Sequence, residues 1–158
     1  MTRAYVALGA NLGDPVAAVQ AAFDALAALP QTRLAARSSL YRTAPVSLAA
    51  QPDFINAAAA LDTELPPLDL LAALLAVEAS AGRLRRERNG PRSLDLDLLL
   101  HGDTVLVTPA LSLPHPRLHL RAFVLAPLGE IAPDLALPGR GSVAAWLPAV
   151  ALQSIERL

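Results

Sequence analysis

The order of patterns along this chain predicts an α+β sandwich on a βαββαβ plan. Two long helical patterns are separated by two consecutive strand patterns, and a further strand pattern stands outside each helix. The fourth strand carries a strict apolar–acidic alternation, Leu94, Asp95, Leu96, Asp97, Leu98, which has the period of two of a half-buried strand. At 158 residues the chain suits one domain over residues 1–158, with enough length to bury a good core. This is the ferredoxin-like double βαβ order. It predicts an antiparallel sheet with both long helices on one face, the other face open for a site, and an added C-terminal hairpin with short helices.

In chain order, Tyr5, Val6, Ala7 and Leu8 read as the first strand, stopped by Gly9 to Pro15. Asp14 before Pro15 is a helix start, because the carboxylate caps free amides and proline fits the first turn. The helix runs to about residue 29, with Val16, Val19, Phe23, Leu26 and Leu29 along one face. Gly9 and Gly13 could bring backbone near an anion, but their spacing matches no nucleotide fingerprint and favours a tight strand-to-helix turn. Residues 32–43 read as one alternating strand and residues 44–52 as a loop. Residues 54–63 read as a strand despite alanines that could also form helix. Pro66 and Pro67 open a second helix running through Glu78 and ending near Gly82. After the motif strand, His101-Gly102-Asp103 signals a turn that pairs residues 104–107 back as a short strand. Pro114-His115-Pro116 bridges into a helix around residues 117–128. Residues 133–141, rich in proline and glycine, lead to a short helix around Trp146.

Composition removes several classes of chemistry. There is no cysteine, which excludes disulfides, thiolate metal sites and cysteine nucleophiles. All thirteen basic residues are arginine, so a Walker-type lysine and Schiff-base chemistry are excluded. A net charge of −1 argues against broad binding to nucleic acid or anionic membrane. The N-terminus lacks a signal-peptide core and no apolar run reaches membrane-spanning length. The expectation is a soluble cytoplasmic monomer.

Chemistry concentrates around the fourth strand. Asp95 and Asp97 share one strand face roughly 6–7 Å apart, since each residue rises ~3.3 Å. Like charges held that close repel, so either the pair lies on a solvated edge or a divalent cation fills the gap. Oxygen-only ligation by aspartates suits Mg²⁺. Arg83, Arg85, Arg86, Arg88 and Arg92 lie just before the pair. A helix end explains Arg83 and Arg85. It does not explain Arg88 and Arg92, in a Gly-Pro loop beyond the helix. Arginine forks bind phosphate oxygens in pairs. The combination reads as a phosphate clamp beside a metal site, fitting phosphoryl-type transfer. Downstream, His115 is stiffened between two prolines, and Arg121 with Phe123 offers a cation beside a flat apolar surface. Phe54 and Asn56 fall on one strand face, where the amide can bond a polar ring. Core packing also accounts for Phe54, Phe123 and Tyr41, and a helix surface accounts for Glu78. His119 shows no special context and reads as solvated.

Gly9-x-Asn11-Leu12-Gly13-Asp14, Tyr41-Arg42-Thr43, Phe54-x-Asn56, Gly90-Pro91-Arg92-x-Leu94-Asp95-Leu96-Asp97 and Pro114-His115-Pro116-Arg117-x-x-x-Arg121-x-Phe123 occur in that order. This series resembles the 6-hydroxymethyl-7,8-dihydropterin pyrophosphokinase family, the 2-amino-4-hydroxy-6-hydroxymethyldihydropteridine diphosphokinases of folate biosynthesis. The resemblance runs from about residue 3 to residue 135 and implies the same ferredoxin-like fold. It implies Mg²⁺-dependent transfer of diphosphate from ATP to the pterin hydroxymethyl group, releasing AMP. Two Mg²⁺ ions would bind Asp95 and Asp97. Asp97, Arg83 and Arg92 would be catalytic. Glu78, Arg85, Arg88, Arg92, Ser112, His115 and Arg121 would bind ATP. Thr43, Pro45, Val46, Asn56 and Asp95 would read the pterin, stacked between Phe54 and Phe123. Loops 44–52 and 82–92 would close over the substrates. Asn89 stands where the family usually has a bulky aromatic, Leu120 where a polar residue is common, and Ala110 where some members are basic.

Two other classes fit parts of the pattern. A two-metal phosphoesterase or nuclease would use the same Asp pair but needs further carboxylates. An RNA-binding module on this sheet plan would need more stacking aromatics.

Overall fold

Strand β1 (Thr2–Ala10) forms at the centre of the sheet, where Ala4, Val6, Leu8 and Ala10 point into one buried face. The computed structural model describes residues 1–45, 51–82 and 93–158. Helix α1 (Pro15–Ala27) begins at the expected cap, with the Asp14 carboxylate accepting from the Ala17 N–H at 3.1 Å. Gly13 turns the chain into it with φ +64°, a conformation that a side chain would strain.

The expected single strand over residues 32–43 is two strands, β2 (Thr32–Arg37) and β3 (Tyr41–Thr43). Both pair with β4 (Phe54–Thr63). Between Arg37 opposite Ala59 and Tyr41 opposite Asn56 the chain advances four residues while β4 advances three. The extra residue is a bulge, pinned by Ser38, whose hydroxyl accepts from the Ala58 N–H at 2.8 Å. Alternation through residue 38 therefore fails. β4 matches its expected bounds. It is paired on both sides, to β1 and to β2 and β3, and covered on both faces, so Ala57, Ala58, Ala59 and Ala60 are all buried. Packing has overridden the helical propensity of that alanine run.

Helix α2 (Pro67–Ser80) returns to the sheet and stops before Gly82, at φ +78°. Strand β5 (Asp95–His101) then adds to the free side of β1. The order β3–β4–β1–β5 in antiparallel ladders reproduces the expected double βαβ plan. Leu94, Leu96 and Leu98 enter the core formed by the sheet with α1 and α2.

The distal segments depart from expectation in three places. Strand β6 (Leu106–Val107) pairs with β7 (Ser112–Leu113) instead of folding back on the motif strand. The turn after His101 directs the chain away from β5, and Thr108, bonded to Leu111, closes a tighter loop. The helix expected at 117–128 is a 3-10 turn over Leu118–Leu120 followed by α3 (Ala122–Ile131). The second sheet face is only partly open. Tyr5, Ala60, Leu99 and Leu100 pack there against α3 and α4 (Val143–Trp146). Strands β8 (Ala136–Leu137) and β9 (Gly141–Ser142) form a hairpin before α4. At the chain end β10 (Glu156–Arg157) pairs with β3 and extends the sheet.

On the sheet rim, Asp62 accepts from Arg3 at 2.7 Å and Arg33 at 2.6 Å. The two guanidinium groups hold its carboxyl down at about 2. A depressed carboxyl contributes stability above its ordinary value of 3.8, and that stability is lost as pH falls toward 2. Asp62→Asn should therefore flatten the pH dependence of the urea midpoint between those values. A variant as acid-sensitive as the parent there would contradict this.

Candidate active site

The part of the second sheet face left open by α3 is the floor of a cavity of about 600 Å³. Ala7 and Gly9 of β1, Asn56 of β4 and Asp95 and Asp97 of β5 line it, with Thr43 and Phe54 at one side and Arg121 and Phe123 at the other. Gly9 lies opposite both Asn56 and Asp95 in the two ladders. A Cβ there would stand 3.1 Å from the Asn56 Oδ1. Gly9 thus belongs to the site floor and not to the turn that Gly13 makes. Its role is invisible without knowing which strands flank it.

The buried Asn56 amide donates to the Thr43 Oγ1 at 2.8 Å. That bond fixes the amide plane on neighbouring strands, so its carbonyl and second N–H have set directions. Asn11 holds the far end of the adjacent loop, donating to the Gln51 side chain and to the Pro52 carbonyl, each at 2.9 Å. Ala44 lines the cavity; Pro45, next along, does not. The Arg121 guanidinium lies over the Phe123 ring, 5.4 Å from its centre, a cation–π distance.

A second cavity of about 330 Å³ opens on the other side of the aspartates. Glu78, Asp95, Asp97, Ala110, Ser112 and His115 are among its lining residues. Among the described residues, Asp95 and Asp97 are the two that line both cavities. Glu78 is 4% exposed and accepts the Leu96 N–H at 2.7 Å. β5 is an edge strand, so this N–H points away from β1 and would otherwise go unpaired. Glu78 thereby pins the peptide between the two aspartates, which its reading as a helix-surface residue missed.

His115 is anchored by its own backbone, N–H to the Leu99 carbonyl at 2.9 Å and carbonyl from Arg140 at 3.0 Å. Burial, then Arg121, Arg117 and Arg140, push the imidazole down to about 4. It is neutral at pH 7. Its Nδ1 accepts from the Arg117 N–H at 3.2 Å, which leaves Nε2 to carry the proton and donate. The folded protein binds this proton only near pH 4, whereas the unfolded chain binds it near 6.5, so stability falls on acidification across that window. His115→Gln should lose that slope in urea titrations; an unchanged slope would contradict it. His119 is not solvated: its ring packs edge-on against Trp146 at 4.7 Å.

Arg83, Arg85, Arg86, Arg88, Arg92, Asn89 and Val46 lie outside the described residues, as do most of the two loops expected to close over substrate. Among the described residues no group of three or more His, Asp or Glu gathers at one point. Two carboxylates are thus what the described part of the site offers a cation. Magnesium, which takes one or two carboxylates and completes its shell with water and phosphate oxygens, fits that offer.

Residues 5–133 match the model of the 7,8-dihydro-6-hydroxymethylpterin-pyrophosphokinase (HPPK) family. The chain belongs to that family. Membership makes it an enzyme of pyrophosphoryl transfer. Among its relatives, the 2-amino-4-hydroxy-6-hydroxymethyldihydropteridine pyrophosphokinase of Pseudomonas aeruginosa is 53% identical over 156 residues, covering 99% of this chain and 96% of that one. The protein of the same name from Haemophilus influenzae is 46% identical, covering 87% and 86%. The fold is shared with a crystal structure of Plasmodium falciparum HPPK-DHPS, at a TM-score of 0.74 and 12% identity over 94% of this chain and 43% of that one. No helix among the described residues is long and apolar enough to cross a membrane.

Proposed function

We propose that this pyrophosphokinase transfers the terminal diphosphate of ATP to the hydroxymethyl oxygen of 6-hydroxymethyl-7,8-dihydropterin, with Mg²⁺, and releases AMP. The observation that carries this reading is the shared wall: two cavities of different character meet at Asp95 and Asp97. One has aromatic sides and a fixed amide, suited to a flat polar heterocycle. The other has hydroxyl, imidazole and carboxylate groups around an apolar floor, suited to a nucleoside carrying phosphates.

In this reading the pterin ring lies between Phe54 and Phe123, with Asn56 and Thr43 reading its polar edge and Pro45 and Val46 at its rim. Its hydroxymethyl oxygen then faces the aspartates. ATP occupies the second cavity with Ser112 and Glu78 nearby, and His115 Nε2–H donates to a phosphate oxygen. Asp95 and Asp97 would hold two Mg²⁺ ions, which when bound would offset the triphosphate charge and lower the pKa of the attacking hydroxyl. The oxygen attacks the β-phosphorus, the bond from that phosphorus to the α–β bridging oxygen breaks, and AMP departs with the bridging oxygen. In this reading Asp97 would take the hydroxyl proton. Arg121, over the Phe123 ring and lining the same cavity as the aspartates, would stabilise charge that develops on the transferring group. Arg83, Arg85, Arg88 and Arg92 complete the phosphate clamp in this reading, with Arg83 and Arg92 acting at the transferring group.

Incubation with ATP, Mg²⁺ and the hydroxymethyl pterin should yield AMP in step with pterin consumed. Release of ADP would exclude diphosphate transfer.

A further inference from the structure

The C-terminal segment lies beyond the part of the chain that matches the family model, yet Gln153 and Ser154 line the larger cavity. Gln153 is the informative residue. Its Oε1 accepts from the Ala122 N–H at 2.8 Å, and its Nε2 donates to the Leu120 carbonyl at 2.9 Å. Those two backbone groups flank Arg121. Arg121 is extended, at φ −126° and ψ +118°, so the carbonyl before it and the N–H after it point the same way. The primary amide of Gln153 occupies that side as a neighbouring strand would, taking and giving one hydrogen bond each.

Two features make this pairing more than a chance surface contact. The Ala122 N–H is the first of α3 and has no partner within the helix, and the Arg121 side chain does not cap it. The helix that carries Phe123 is therefore capped from the chain terminus. The terminus itself is held on both sides of Gln153. Val150 is 5% exposed within the second core, and downstream β10 pairs with β3, with the Leu158 N–H on the Leu40 carbonyl at 2.9 Å. β3 ends at Thr43, the partner of Asn56. One tail thus braces both walls of the cavity.

We propose that Gln153 is a positioning residue for the ring pocket: it fixes the backbone at Arg121 and so sets the cation and the Phe123 ring toward the heterocycle. This rests on the pterin reading of the larger cavity. A merely structural tail would matter for stability and not for which substrate is held. Gln153 lies outside the second cavity and reaches the nucleotide only through Arg121, so ATP binding should weaken less than pterin binding.

Gln153→Met keeps length and loses both hydrogen bonds, and Gln153→Ala removes the side chain. Titration calorimetry with 6-hydroxymethyl-7,8-dihydropterin, in the presence of a non-hydrolysable ATP analogue and Mg²⁺, should show about tenfold weaker pterin binding for both variants. Binding of the ATP analogue alone should weaken by no more than about threefold, and its retention also reports that the variants are folded. Pterin binding at parent strength, or equal weakening of pterin and nucleotide, would overturn the proposal. Failure of the parent protein to bind the pterin would instead overturn the reading of the pocket.

Discussion

Asp97→Ala is expected to cut turnover by on the order of a thousand-fold or more, because several kcal/mol of charge stabilisation at the transferring phosphate depends on the carboxylate pair. The same substitution should leave thermal unfolding unchanged or slightly raised. Asp97 and Asp95 occupy one face of β5. In the absence of a cation they repel, and removing one relieves that repulsion. Loss of activity without loss of stability separates a group held for chemistry from one held for packing. An alanine variant that unfolds far below the parent would place Asp97 in the second class.

Phe123→Ala is expected to weaken pterin binding by about tenfold to a hundredfold, the range of ~1–3 kcal/mol measured for heterocycles stacked on aromatic side chains. ATP-analogue binding without pterin should change little, since Phe123 lines the larger cavity and not the smaller. The ring is only partly buried against the second core, so truncation leaves no large void. Isothermal titration with each ligand separately reads the split. Equal losses for both ligands would contradict the division of the site.

The acidic strand was legible in the sequence because period-two patterning depends only on nearest neighbours. Leu94, Leu96 and Leu98 entered the core and both aspartates faced the site, as alternation required. The βαββαβ order was legible for the same reason, through helix caps and proline starts. Features that depend on what lies across the sheet were not legible. Ser38 breaks the ladder because one residue must be accommodated against β4, and nothing local marks it. Gly9 looks like a turn glycine until Asn56 and Asp95 are found on either side. β10 has two residues, too few for any periodic signal, yet it anchors the tail that brings Gln153 to Arg121. Glu78 sat on an apparently ordinary helix, and its bond to Leu96 follows only from β5 being the sheet edge. Covering of the second face by α3 was missed because a short helix containing Pro127 carries a weak pattern of its own.

The Asp95–Asp97 face is proposed as the boundary between two substrates. A crystal structure of the protein with a non-hydrolysable ATP analogue, Mg²⁺ and 6-hydroxymethyl-7,8-dihydropterin tests it most directly. The pterin is expected between Phe54 and Phe123, the nucleotide beside Ser112 and His115, and two metal ions on the shared carboxylates. Nucleotide density in the aromatic cavity, or metal bound away from Asp95 and Asp97, would contradict it.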